Sequence, residues 1–412
     1  MICSNGGMNY EEKRDTLKKF LKRTLCVGII AVFLMSVFPF GAVYAKANGS
    51  SDVISESLNG KNWMSGIPDN RYIYEINLPG THDSTTANSK NSTDNYVKFF
   101  GIPVFNSGKY AKTQSLTLPQ QLDAGVRYLD LRFSAKQGKL LLCHGNNEKA
   151  APVNKAVKIL SYINPILLLL ERFNYPFLSL DTEFYTYEDE ECTVAITCES
   201  ALAQVKDFLT ENPSETVIIT AKKENGDTGE FLKLFNEQIQ KLKTEINHST
   251  QKEFLYTENN NGIYSKMPAL SEVRGKIILM TPFYEELQAG DMLDAKNTAG
   301  QTDFMGMTFN YENHWSVTAR KKTRYIESFI KDFSTDLSKD PEKHLAYANV
   351  IKTNSSAILR QTPYEISSKV NDNLYSDSNL IKGRYYGWIM GDFMTEDICA
   401  SIWKTNYFVF DN

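Results

Sequence analysis

Five histidines and six cysteines are few for a chain of 412 residues, and the scarcity narrows the chemistry. No cysteines have the spacing of a zinc site, and six in so long a chain do not make a disulfide scaffold. Basic charge is not in excess either. Lysine and arginine number 45 against 49 acidic residues, a net charge of −4, which argues against a general nucleic-acid binder. No Pro/Gly-rich linker cuts the chain after its N-terminal segment, and no solenoid period appears. Long apolar runs are scarce too. The first, Leu25 to Phe38, follows Lys18, Lys19, Lys22 and Arg23 and precedes Pro39, Gly41 and "AVYAKA". A basic region, a short apolar stretch and small residues before a cut define a secretory signal peptide over 1–45, cleaved after Ala45 or Ala47. A retained membrane anchor is the alternative. Loss of 1–45 removes six basic and three acidic residues, moving the net charge from −4 to −7. Cys143, Cys192, Cys198 and Cys399 then remain, with Cys192 and Cys198 close enough for a local loop disulfide.

After a flexible polar leader, 46–60, the stretch 61–412 alternates. "YIYEINL" (72–78), "VRYLDLRF" (126–133), "KLLLC" (139–143), "TVIITAK" (216–222), "KIILMT" (276–281), "YANVIKT" (347–353) and "YYGWIMGD" (385–392) are short and rich in apolar, β-branched or aromatic residues, as strands are. "ESALAQVKDFLTEN", "GEFLKLFNEQIQKLKTEI" and "RYIESFIKDFSTDLSK" show the three-four spacing of helices. Strand followed by helix, repeated, implies a parallel sheet. The expected fold is therefore α/β, a single irregular (β/α) barrel of the TIM type.

Polar residues cluster at the ends of these strands. His82 and Asp83 follow the first, His144 follows "KLLLC", Lys222 ends "TVIITAK" and Asp392 ends "YYGWIMGD". In such a barrel the strand C-termini open on one face, so these groups are expected at one mouth. Asp130 and Arg132 alternate with Leu129, Leu131 and Phe133, which turns both to one side of their strand. That side is the barrel interior, or else the wet face of an edge strand. Two histidines can divide general-base and general-acid work near neutral pH, with carboxylates fixing their tautomers. Arginine offers a planar fork for a phosphate. The same histidines and carboxylates are also a donor set for a metal, against which Arg132 would place a fixed positive charge. His248, His314 and His344 lie in polar surroundings and are expected to be solvated.

With these residues assembled, the sequence resembles the bacterial phosphatidylinositol-specific phospholipase C family, whose members share the X-box barrel. The matching stretches are "NWMSGIPDNRYIYEINLPGTHDS" (62–84), "LDAGVRYLDLRF" (122–133), "LLLCHG" (140–145), "NPSETVIITAKKE" (212–224), "RGKIILM" (274–280) and "GWIMGDF" (387–393), in family order. The resemblance implies an enzyme that cleaves phosphatidylinositol, free or in a glycosylphosphatidylinositol anchor, to diacylglycerol and a 1,2-cyclic inositol phosphate, without cofactor or metal. By the same resemblance His82 is the general base, oriented by Asp392, and His144 the general acid, supported by Asp83. Arg132 would hold the phosphate, Asp130 would complete that network, and Lys222 would contact the inositol. Departures lie in the headgroup pocket. Pro282 stands where the family has an arginine, and Asn313 and Trp315 fall where it has an aspartate and a stacking tyrosine. Between His144 and Lys222 the chain is dozens of residues longer than usual, an insertion around 146–200 that contains "INPILLLLERFNYPF".

Two rivals remain at this stage. One is a metal-dependent barrel phosphodiesterase for another phospholipid or a glycerophosphodiester, although no Glu-rich cluster adjoins the first histidine. The other is a non-catalytic inositol-glycan binding protein on the same scaffold. The expected partner is an inositol-phospholipid membrane surface, met from outside the cell by a secreted monomer with peripheral contact and no nucleic acid. The apolar loop "YVKFFGIPVF" (96–105), leaving the catalytic end of its strand, supplies candidate membrane contacts in Phe99, Phe100, Ile102 and Phe105.

Overall fold

Short β-branched stretches separated by amphipathic helices build one curled mixed sheet. The structure, a computed structural model, describes residues 58–89, 96–99, 102–106, 108–145, 178–179, 184–257, 267–281, 298–304, 307–340, 342–357, 360–375 and 379–409. The expected signal peptide, leader residues 46–57, the apolar stretch 163–177 and Pro282 lie outside them, and so does Phe100. All described residues fall in the unit Val53–Asn412. Among them, no helix is long and apolar enough to cross a membrane.

The sheet contains β1 (Leu78–Thr81), β2 (Tyr128–Lys136), β3 (Lys139–His144), β4 (Val217–Asn225), β5 (Ile277–Met280), β6 (Ala299–Phe304), β7 (Met307–Glu312), β8 (Tyr347–Lys352) and β9 (Trp388–Gly391). Its order is β5-β4-β2-β1-β9-β8-β7-β6. Every neighbouring pair from β5 to β7 is parallel, whereas β6 runs antiparallel to β7 and β3 antiparallel to β2. Among the described residues the outer side of β5 carries an isolated parallel bridge to Leu255 and no strand pairs beyond β6, so the irregular barrel expected from the sequence takes the form of a curled half-barrel of eight strands.

Helices α1 (Leu118–Ala124), α2 (Cys198–Glu211), α3 (Thr228–Thr244), α4 (Ala319–Phe333), α5 (Pro363–Leu374) and α6 (Glu396–Trp403) join the strands. Their starts are written in the sequence. Thr197 accepts from Ser200 N, Asp227 from Glu230 N and Thr362 from Glu365 N, side-chain caps each worth about 1 kcal/mol. One face of α3 buries Phe231, Phe235, Ile239 and Leu242, and α2 does the same with Ala201, Val205, Phe208 and Leu209.

Three expectations need correction. The first strand is not 72–78, where Ile73–Glu75 form a 3-10 turn; it is Leu78–Thr81, running through Pro79 and Gly80. Pro79 contributes only its carbonyl, to Arg127 N at 2.9 Å, and a Cβ on Gly80 would lie 2.9 Å from the Tyr128 ring. Proline and glycine here mark close strand packing rather than a turn. The segment 96–105 is not a loop: Tyr96–Phe99 pairs antiparallel with Ile102–Asn106 and with Leu178–Ser179. Finally, none of Cys143, Cys192, Cys198 and Cys399 is in a disulfide, so Cys192 and Cys198 are not bonded to each other.

At the N-terminal end of β2, Arg127 and Glu215 form an ion pair with no exposure to solvent, 2.8 Å apart. The guanidinium also donates to the carbonyls of Gly60, Leu122 and Val126 at 2.7–2.8 Å, and it lies 4.5 Å from the Phe208 ring centroid. One group thereby ties the first described residues, α1, α2 and two strands together. Removing one partner of such a pair leaves an uncompensated buried charge. Glu215→Gln is expected to cost about 3–5 kcal/mol, read as a fall in the urea unfolding midpoint; an unchanged midpoint would show that the pair does not hold this end of the sheet.

Candidate active site

The parallel strands all end at one edge, and the sheet's curl brings those ends round a cleft of about 440 Å³. His82 leaves β1 directly, with its backbone N–H donating to Gly391 O of β9 at 3.1 Å. Gln114 fastens the same two strand ends, donating from Nε2 to His82 O at 2.8 Å and to Gly391 O at 2.9 Å. Thr113 adds a hydroxyl bond to His82 O and accepts from Phe393 N. Asp83 (φ 44°) and Phe393 (φ 52°) both take the left-handed backbone conformation, which costs free energy in a non-glycine residue and persists only where surroundings enforce it. Here the bonds to residues 113 and 114 enforce it, and the outcome is a 2.9 Å hydrogen bond between His82 Nδ1 and Asp392 Oδ1. His82 Nε2 lies 3.4 Å from Asp83 Oδ2.

Asp130 and Arg132 do face one side of β2, as their period-two spacing predicts. Arg132 is paired with three carboxylates: Asp130 at 2.8 Å, Glu224 at 2.9 Å and, closer still, Asp83. Glu224 escaped the sequence reading, yet it shares Lys222's side of β4 by the same spacing. His144 reaches the mouth by a route the strand pattern did not show. Its strand is antiparallel, so its C-terminus would be expected at the far edge. But β2 overruns Arg132 by four residues before β3 turns back, with Phe133 opposite Leu142, and the return delivers His144 beside Asp83. His144 Nδ1 and Asp83 Oδ2 form an ion pair at 2.5 Å, and the imidazole rings of His82 and His144 stand 6.5 Å apart, edge to face.

Burial opposes charge on all these groups, and their neighbours decide the outcome. Asp83 is held well below the usual carboxylate range despite its burial, by Arg132, His144 and His82. Asp130 is lowered likewise, against its burial, chiefly by Arg132. His82 is raised: burial disfavours its cation, but Asp83 and Asp392 outweigh burial. Asp392 is raised by burial, which exceeds the opposing pull of His82. Burial and the nearby Arg132 lower Lys222. Burial brings Lys352, at the end of β8, down to about 7.

Lys222, Asn313 and Trp315 all line the cleft, Trp315 with 48 % of its surface exposed. Lys352 and Asn354 line it as well and were missed, although Lys352 closes "YANVIK" much as Lys222 closes "TVIITAK". His314 and His344 are not simply solvated. His314 Nδ1 is 2.9 Å from Glu312 and its ring stacks on Tyr325, while His344 pairs with Glu75 at 3.1 Å; His248 is exposed. Phe99, Ile102 and Phe105 lie in the strand pair described above. His82, Asp83 and Asp130 bring ligand atoms within 4.8 Å of one another, the spacing of a metal site. Both carboxylates are already engaged by Arg132, so a cation there would have to displace or face a fixed guanidinium, and the donor set does not fit one well.

No protein-family model matches the chain. It is 26% identical over 401 residues to a 1-phosphatidylinositol phosphodiesterase of Listeria monocytogenes, covering 95% of this chain and 99% of that protein. To a Staphylococcus aureus protein of the same name it is 22% identical over 386 residues, covering 92% and 94%. Among solved structures, the phosphatidylinositol-specific phospholipase C of Staphylococcus aureus superposes with a TM-score of 0.56 at 20% identity, covering 84% of this chain and 98% of that one, a likeness of fold. In sequence, over nearly the whole length of these proteins, and in fold, the chain is similar to the bacterial phosphatidylinositol-specific phospholipases C, as its six motifs implied.

Proposed function

We propose that this protein is a phosphatidylinositol-specific phospholipase C acting by metal-independent general base and general acid catalysis. One observation carries the reading: two imidazoles flank a partly buried arginine, each with a buried carboxylate oxygen at its Nδ1, 2.9 Å away for His82 and 2.5 Å for His144. With Nδ1 so engaged, Nε2 is the atom each ring offers to substrate, that of His82 lying beside Asp83 Oδ2, 3.4 Å away. His82 takes the proton of the inositol 2-hydroxyl, whose oxygen attacks phosphorus. As the bond from phosphorus to the diacylglycerol oxygen breaks, His144 protonates that oxygen. Arg132 holds the phosphate oxygens where negative charge builds, a task usually worth about 3–4 kcal/mol. Asp130, Asp83 and Glu224 keep the guanidinium in place, and Lys222, Asn313 and Trp315 contact the headgroup. The products are diacylglycerol and a 1,2-cyclic inositol phosphate. Export directed by residues 1–45, which the basic-apolar-small pattern supports, and action as a monomer complete the proposal. A non-catalytic binder would have no use for two oriented imidazoles.

His82→Ala and His144→Ala are each expected to lower phosphatidylinositol turnover by about 10²–10⁴-fold, measured in chelator with phosphorus NMR of the water-soluble product. Near-normal turnover in either variant, or wild-type activity that needs calcium, would overturn the mechanism.

Because Asp392 helps to raise His82, and His82 must be unprotonated to act as base, the acidic limb of the kcat/KM profile should lie above the ordinary histidine range. Asp392→Asn removes that anion, so the limb should move to lower pH while kcat falls. An unmoved limb would separate His82 from the base role.

Membrane contact is assigned to the strand pair containing Phe99, Ile102 and Phe105 and to Phe100 between its strands, supported by its composition and its place in the connection after His82. Burying each ring would contribute about 1.5–3 kcal/mol to docking. Phe99→Ser with Phe100→Ser should weaken vesicle binding but spare hydrolysis of soluble cyclic inositol phosphate; a joint loss of both with thermal stability would place these rings in the core instead.

A further inference from the structure

The cleft wall opposite Arg132 is built by the ends of β7 and β8. Glu312 and Ile351 are register partners, so Asn313 and Trp315 leave one strand beside the point where Lys352, Thr353 and Asn354 leave the other. Lys352 is near enough to Asp130, Lys222 and Arg132 for their charges to act on it. Three strands separate β8 from β4, which in a flat sheet would put them about 19 Å apart. The curl of the sheet therefore turns the Lys352 amine across the cleft toward the phosphate-binding side.

Asn354 gives an independent sign of a ligand. It is only 5 % exposed and lines the cleft, yet its Oδ1 has no hydrogen-bond partner among the described residues. A buried acceptor left in this state costs about 1–3 kcal/mol. The backbone gives it little freedom to relax. Thr353 N donates to Met390 O at 2.7 Å, Ser355 Oγ donates to Val317 O at 2.7 Å with Trp315 O the alternative acceptor at 3.0 Å, and Ser356 N donates to Trp315 O at 2.9 Å. Asn354 is thus fixed between two fastened neighbours, next to the exposed Trp315 ring.

We propose that Lys352 and Asn354 are specificity residues that recognise adjacent hydroxyls of a polyol ring, Asn354 Oδ1 accepting from one and Lys352 Nζ bonding the next. The inference rests on the phospholipase reading and assigns it a headgroup wall that the motifs did not supply. A ring hydroxyl is both donor and acceptor, so an amide oxygen beside an amine matches a neighbouring pair of hydroxyls. Burial brings Lys352 down to about 7, so much of the amine is uncharged near pH 7, and an uncharged amine can accept from a neutral hydroxyl as well as donate to it. Trp315 supplies a flat apolar surface for the ring itself. Headgroups without vicinal hydroxyls would leave Asn354 Oδ1 buried and unsatisfied, which penalises them.

The test measures binding of myo-inositol 1-phosphate and of phosphocholine, a phosphate monoester with no hydroxyl pair, by calorimetry to the wild-type protein, Asn354→Ala and Lys352→Met, alongside phosphatidylinositol turnover. Each substitution should weaken inositol phosphate binding by about 3- to 10-fold, the worth of one neutral hydrogen bond, and leave phosphocholine binding within about 2-fold on that scale. Equal losses on both ligands would mean that these residues contact only phosphate, and no loss on either would mean that they contact neither; both results overturn the proposal. If one variant fails to fold, as judged by its melting transition, the other decides. A wild-type protein that binds inositol phosphate selectively but does not cleave phosphatidylinositol would defeat the phospholipase reading and leave the wall assignment standing.

Discussion

A guanidinium that cannot lose its proton lies sunk among Asp83, Asp130 and Glu224, and the mouth of the sheet is arranged around it. Taking four charges out of water is costly, so none of them can move independently. Asp83 must keep its charge to pair with Arg132, and a charged Asp83 then orients His144 and helps to raise His82. The rigidity of the two imidazoles thus follows from the electrostatics of Arg132, a residue that keeps its proton. The same charge makes the neighbouring histidine and carboxylates a poor cradle for a metal ion.

Strain is placed where this arrangement needs it. Asp83 and the residue after Asp392 both sit in the left-handed region, each at the first turn beyond a central parallel strand. Segment 113–114, remote in sequence from both, pins the two turns to each other. At the opposite end of the sheet, Arg127 and Glu215 form a second buried pair that holds β2 and β4 from below. One ion pair secures the scaffold and another charged cluster organises the chemistry, with the apolar layer of Leu129, Leu131, Ile218 and Ile219 between them.

Much of the site could be read directly. Asp130 and Arg132, two apart in a strand, had to share a face, and the structure keeps them there. The identical spacing of Lys222 and Glu224 carried the same information and went unused. Other members left no local trace. Gln114 sits in a polar connection like many others, and nothing near it in sequence says that its amide will bridge β1 and β9. Lys352 and Asn354 follow one more apolar strand, and only the curl of the sheet brings them round to the cleft.

Local patterning determined the elements: alternation of strand and helix required a largely parallel sheet, threonine and aspartate caps set where α2, α3 and α5 begin, and His82 with Asp83 stood at a strand end in any arrangement. Tertiary structure alone decided which strand ends meet. It made β1 run through Pro79 and Gly80, because strand packing rather than turn propensity governs a buried centre. It turned β3 antiparallel and still brought His144 to the mouth, because β2 overruns the sheet edge before the chain returns. Periodicity reports which side of a strand a residue faces. Which other side chain it meets there depends on register and curl, and these are set by packing among residues as far apart as the 310 positions between His82 and Asp392.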